Sequence, residues 1–243
     1  MKMQPLMLMP TFFQHLSWAP VRLVMFLFAK MEIKGLENTE LNGGNMILAS
    51  NHINHLDPVL LSACFPFFSR HIPFIFGSRE KNFYQEMGWK AWIYGGTFFR
   101  LMGAYPMTGG LKDYAISMQK HIEFVKKGKS FCMFPKGKER GGETKKAKGG
   151  IGYIAYATGV PVVPVKITGI ENMTFASIWS GRHKAKVTFG KPIYKEELFP
   201  KGLTPIVTSE SNPFVDAAEL IMKKVSEISQ EVNSCFPDGE KFN

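Results

Sequence analysis

An α/β fold, a mixed and mostly parallel sheet covered by helices on both faces with a helical membrane-binding segment in front, is what this sequence predicts. Two observations carry that reading. Short apolar runs at 46–49, 72–76, 130–134 and 162–168 alternate with stretches of helical period at 58–64, 109–127, 151–158 and 213–233, and strands alternating with helices build such sheets. With 243 residues, 45% apolar and 21% charged, the chain is long enough for a sizeable core and is neither disordered nor collagen-like.

Residues 3–21 contain no Lys, Arg, Asp or Glu. A membrane span is nevertheless not expected. Pro5, Pro10 and Pro20 interrupt the run, Gln14 and His15 would need partners in hydrocarbon, and Arg22 arrives before the second apolar block, 23–29, can span. Two short helices hinged near Pro20 are expected instead. Phe12, Phe13, Trp18, Phe26 and Phe28, flanked by Lys2, Arg22 and Lys30, suit a segment lying in a headgroup zone, and equally one packed on the core. The chain thus divides into residues 1–30 and an α/β domain at 31–243. No small-x-small cleavage site follows the apolar block. Cys64, Cys132 and Cys235 lie far apart, without metal-ligand spacing, and their odd number points to a reducing compartment.

The strand at 46–49 ends in Ser50-Asn51-His52, and Asp57-Pro58 opens the next helix, an N-cap followed by a first-turn proline. After the strand at 72–76, the helix at 109–127 carries Tyr114, Met118, Ile122 and Val125 on one stripe and stops at Gly128. A strand at 130–134 leads into a loop rich in glycine and lysine, a helix at 151–158, the β-branched strand at 162–168, a weaker strand at 184–189, and a last helix bearing Phe214, Ala218, Ile221 and Val225. Ligands of such sheets bind beyond the carboxyl ends of the strands, where His52 and the loop from Pro135 to Lys148 both fall. The apolar stretches 60–68 and 89–105 read as core, and their Phe, Trp and Met content would also suit a groove for a fatty chain.

Three chemistries fit Ser50-Asn51-His52-Ile53-Asn54-His55-Leu56-Asp57. Asp57 can be a helix cap with the histidines in solvent. A metal site needs further ligands, and Cys64 and His71 are poorly placed for it, while Asn54 interrupts any tight histidine pair. In the third, Asp57 accepts a hydrogen bond from one imidazole nitrogen of His52, fixes its tautomer, and leaves the other nitrogen to take a proton, with the second Asp57 oxygen free to cap.

Here the sequence resembles the glycerolipid acyltransferases, the family marked by His-x-x-x-x-Asp. Lys34-Gly35-Leu36-Glu37-Asn38, Asn51-His52 with Asp57, Phe134-Pro135-x-Gly137, Lys148-Gly149 and Gly159-Val160-Pro161-Val162-Val163-Pro164-Val165 followed by Gly169 occur in the family's order across about residues 31–190. The resemblance implies that His52 is the base on an acceptor hydroxyl and Asp57 its orienter. It also implies an acyl thioester donor of coenzyme A or acyl carrier protein, a lysophospholipid or glycerol-phosphate acceptor, and no metal or redox cofactor. Asn51, Arg100, Lys136, Gly137, Lys138 and Arg140 are the candidate substrate contacts, with a backbone N–H near Gly137 as oxyanion donor. Where phosphate-acceptor members read Phe-Pro-Glu-Gly-Thr-Arg, this chain reads Phe134-Pro135-Lys136-Gly137-Lys138-Glu139-Arg140. A lipid-binding or regulatory relative with altered acceptor chemistry is the alternative.

The formal charge is +10, and residues 119–148 hold ten Lys and Arg against Glu123, Glu139 and Glu143. Interleaved glycines and lysines can surround a phosphate with N–H groups and ammonium charges. Nucleic acid is not expected as a partner, because no helix-turn-helix, zinc or RNA-binding signature accompanies the charge. The expected location is the cytoplasmic face of a membrane, held peripherally.

Overall fold

The computed structural model describes residues 5–42, 44–78, 100–107, 113–137, 146–174, 176–200, 207 and 211–234. Among these, seven strands form one sheet ordered β1-β7-β6-β2-β5-β3-β4. They are β1 Glu32–Lys34, β2 Ile47–Ser50, β3 Ile75–Ser78, β4 Ala104–Pro106, β5 Phe131–Met133, β6 Val162–Thr168 and β7 Lys186–Phe189. Every neighbouring pair is parallel except β6 with β7, the mixed, mostly parallel sheet that was expected. The helices are α1 Pro5–Phe28, α2 Asp57–Cys64, α3 Tyr114–Lys126, α4 Gly150–Thr158, α5 Lys195–Leu198 and α6 Pro213–Ser234.

Strand pleating sends alternate side chains to opposite faces, and both faces here are covered. Ile47 and Ala49 of β2 pack under α3, α4 and α6, while Met46 and Leu48 pack under α1 and α2. Helices α4 and α6 approach so closely that a Cβ on Gly152 would collide with the Phe214 carbonyl. Helix α3 opens on Asp113, whose carboxylate accepts from the N–H groups of Ala115 and Ile116, a cap the sequence reading overlooked by starting the helix at 109. Residues 108–112 lie outside the described residues.

The amino-terminal segment departs from expectation. Instead of two helices hinged near Pro20, α1 is one helix of 24 residues with Pro10 and Pro20 inside it. An interior proline costs about 3 kcal/mol, and tertiary bonds on both sides of Pro20 offset that cost. Trp18 donates through Nε1 to the Phe65 carbonyl (2.8 Å), and Arg22 donates to the carbonyls of Ala63 (2.8 Å) and Phe65 (3.2 Å) at the end of α2. Gln14 is buried. Its amide nitrogen donates to the carbonyls of Phe74 (2.8 Å) and Met102 (2.9 Å), and its oxygen accepts from Phe74 N–H (2.9 Å). The polar groups that argued against a membrane span thus fasten α1 to α2 and to the backbone beside β3 and β4.

Candidate active site

Strand β2 is central and buried along its length, so the chain leaving Ser50 emerges at the carboxyl end of the sheet. Asn51 is the next residue and is 4% exposed. Its amide donates to the Ile167 carbonyl and accepts from the Ile167 N–H, both at 2.8 Å. It therefore extends the β2–β6 ladder by one side-chain rung. Both polar atoms of this side chain, expected as a substrate contact, are engaged in the scaffold.

His52 Nδ1 lies 2.7 Å from Asp57 Oδ2, which also accepts from the N–H groups of Ile53 (2.8 Å) and Asn54 (2.9 Å). A carboxylate can only accept here, so Nδ1 carries the proton and Nε2 presents its lone pair. Among the described residues Nε2 has no hydrogen-bond partner, and the side chain is 20% exposed while that of Asp57 is fully buried. Phe134 stacks on the imidazole with centroids 4.5 Å apart and planes at 29°. The ring is thus held at one nitrogen and one face and open at the other nitrogen.

The second Asp57 oxygen does not cap α2. Asp57 is the first residue of that helix, with Leu56 at the N-cap, and Oδ1 is buried with no hydrogen-bond partner among the described residues. The carboxylate turns back to the loop because three donors converge on Oδ2. Burial, then the Asp57 charge, push the Cys132 thiol far above its ordinary pKa, which keeps it protonated. No group of three or more His, Cys, Asp or Glu among the described residues is arranged to hold a metal ion.

Asn54, read from sequence only as a residue that spaces two histidines, is 7% exposed and ties this loop to another. Its amide nitrogen donates to the carbonyls of Ile170 and Met173, both at 2.8 Å, and its oxygen accepts from Leu56 N–H at 3.1 Å. That last bond spans two residues, the signature of an Asx turn, and is the signal by which Asn54 was legible. Phe134 carried no such signal.

The loop after β5 begins beside the imidazole. Phe134 is followed by a tight turn in which Gly137, at φ 66°, donates its N–H to the Phe134 carbonyl at 3.0 Å. The Gly137 N–H is thus engaged within the turn, in the stretch where a backbone oxyanion donor was expected. Lys136 Nζ lies 3.8 Å from Glu219 Oε2 on α6. Lys138 and Arg140 fall in 138–145, outside the described residues. Arg100 precedes β4, which runs parallel to β3, at the amino end of that strand, whereas His52 follows the carboxyl end of β2. Of the proposed fatty-chain stretches, Leu60, Leu61, Cys64 and Phe65 are buried core, and residues 79–99 lie outside the described residues.

Known proteins resemble this chain in sequence and in fold. The acyltransferase family profile matches residues 30–168. The chain is 28% identical over 184 residues to the 1-acyl-sn-glycerol-3-phosphate acyltransferase BAT2, chloroplastic, of Brassica napus, an alignment covering 73% of this chain and 48% of that protein. It therefore spans about half the length of that relative. Its fold resembles that of the 1-acyl-sn-glycerophosphate (LPA) acyltransferase PlsC of Thermotoga maritima, with a TM-score of 0.59 at 19% identity, covering 93% of this chain and 81% of that one. The matched span carries β2, the His52–Asp57 loop, β5 and β6, and the chain belongs to the glycerolipid acyltransferase family.

Proposed function

We propose that the protein transfers a fatty acyl group from a thioester of coenzyme A or acyl carrier protein to the hydroxyl of a lysophospholipid or glycerol-phosphate acceptor. The observation that carries this reading is the 2.7 Å contact of His52 Nδ1 with a buried carboxylate, which leaves Nε2, unbonded among the described residues, as an oriented base. Nε2 takes the acceptor proton as the hydroxyl oxygen attacks the thioester carbonyl. The resulting imidazolium is stabilised by Asp57, and its proton passes to the leaving thiolate as the tetrahedral adduct collapses, so the histidine returns neutral.

Acceptor recognition falls to the loop after β5, where Lys136, Lys146 and Lys148 supply positive charge. A membrane surface is the proposed partner for α1, on the cytoplasmic side. Its outer face exposes Leu8, Met9, Phe12, Leu16, Leu23 and Leu27, and Phe68 beyond α2 is 91% exposed. No helix among the described residues is long and apolar enough to cross a membrane; in the proposed arrangement α1 lies in the interface by its exposed apolar face, with its inner face on α2.

The test is an acyl-transfer assay with lysophosphatidate and uncharged lyso-lipids, using coenzyme A and carrier-protein thioesters, on wild type and His52→Ala. Thioester-dependent acylation that disappears in the variant is the expected result. Lipid binding without thioester consumption over the whole panel would instead identify a non-catalytic relative.

A further inference from the structure

Helix α6 lies outside the span that matches the family, and among the described residues no hydrogen bond or ion pair links it to the His52–Asp57 pair. One of its side chains nevertheless joins both ends of the loop that begins beside His52. Glu219 accepts through Oε1 from the Ala147 N–H at 2.6 Å and places Oε2 3.8 Å from Lys136 Nζ. The two feet also meet directly, Lys148 N–H donating to the Pro135 carbonyl at 3.0 Å. Helix α6 is a rigid mount for this carboxylate, since Phe214, Ala218, Ile221 and Met222 are buried around it.

We propose that Glu219 is a positioning residue for the acceptor: one oxygen fastens the far foot of the loop, and the other sets and partly neutralises the charge that Lys136 offers. The proposal rests on the acyl-transfer reading for what the loop binds. The two roles differ in strength. The bond to Ala147 N–H is short and charge-assisted, the kind that orders a backbone. The pair with Lys136 is longer, and its carboxylate side chain is 40% exposed, so it is screened and exchangeable. An incoming phosphate monoester competes with Glu219 for Lys136 and is repelled by it, so the carboxylate restrains the affinity of the site for anionic acceptors while holding the foot in place.

Substituting Glu219 separates the roles. Glu219→Gln keeps an oxygen for Ala147 N–H and removes the charge, whereas Glu219→Ala removes both. Amide exchange of the segment 146–150 should accelerate about tenfold in Glu219→Ala and stay near wild type in Glu219→Gln, with α4 beyond Gly150 and α6 unchanged. Lysophosphatidate, titrated by calorimetry into detergent-solubilised full-length protein, should bind roughly two- to fivefold tighter to Glu219→Gln, and an uncharged lyso-lipid should bind the same. In turnover, the gain should appear in the acceptor KM and leave kcat unchanged.

Unaltered exchange at 146–150 in Glu219→Ala would overturn the proposal. So would acceleration throughout the protein, which would make Glu219 merely part of the fold, or equal lysophosphatidate affinity in Glu219→Gln. Exchange and titration need no catalysis. If they behave as expected while wild type turns over no thioester, the catalytic reading fails and the role of Glu219 in anion binding stands.

Discussion

The loop after β2 and the loop after β5 leave neighbouring strands at the same end of the sheet, yet they are held in opposite ways. Between Asn51 and Asp57 the side chains of Asn51, Asn54 and Asp57 carry the bonds, and their partners are main-chain groups of β6, of the 170–173 turn and of the loop itself. The described feet of the other loop rest on two short main-chain bonds and on one carboxylate from a remote helix. The loop that carries His52 and Asp57 is thus fixed by buried contacts to main chain, while Lys136 is held by a longer, partly exposed ion pair with Glu219. In the proposed function, a chain built this way can alter its acceptor without disturbing its proton transfer.

The comparison breaks most severely at His52. In His52→Ala turnover should fall by about 10²- to 10⁴-fold, with the melting temperature unchanged, measured by thioester consumption and circular dichroism. Asp57→Asn should cost about 10²-fold or more, because an amide oxygen can take the three donors of Oδ2 but lacks the negative charge that stabilises the imidazolium, and its NH2 replaces the unpartnered Oδ1. Its kcat should fall more than its acceptor KM rises.

Asn51→Ala asks whether β6 holds the catalytic loop. Losing both bonds from a buried amide should cost about 2–3 kcal/mol, a fall of roughly 4–10 °C in melting temperature for a chain of this size. An unchanged melting temperature would mean that the loop stands without that rung.

Acid should weaken the platform under both loops. Burial holds His71 and His121 down to about 4, against about 6.5 in the unfolded chain. The unfolded state therefore binds protons first, and stability present above about 6.5 is lost as pH falls toward about 4, by close to 1.4 kcal/mol per pH unit for each histidine. Denaturant melts across that range check it, and a flat profile would contradict the burial of the two rings.

The smallest effect belongs to Lys136→Met. The acceptor KM for a phosphate-bearing lyso-lipid should rise by no more than about fivefold, with kcat unchanged, because the ammonium already shares its charge with Glu219. A fall in kcat as large as that of Asp57→Asn would erase the distinction between the two loops.

Much of this was legible in the sequence for local reasons. The strand at 162–168 was read at its observed bounds because seven residues of β-branched pattern suffice to show a strand, and the α6 helical stripe was long enough to show its face. Strands β1 and β4 have three residues each, too few for any period to register. His52 and Asp57 stand five apart, within reach of one turn. Asn51 meets Ile167 across 116 positions and Glu219 meets Ala147 across 72, and a distance of that kind leaves no trace in local spacing. Proline chemistry predicted a hinge in α1, and bonds to segments far along the chain overrode it.

Those same bonds set an order of events during synthesis. Gln14 emerges first, but its partners Phe74 and Met102 follow 60 and 88 residues later. At about 5–20 residues per second, an apolar helix with exposed Phe12, Leu16 and Leu23 waits several seconds before the backbone it will bond exists. Any surface that adsorbs it in that interval competes with the sheet for the same segment. In the proposed membrane role, the nascent helix would meet its lipid while the His52 end of the sheet is still unmade, and the finished domain would assemble onto a helix already lying at the interface.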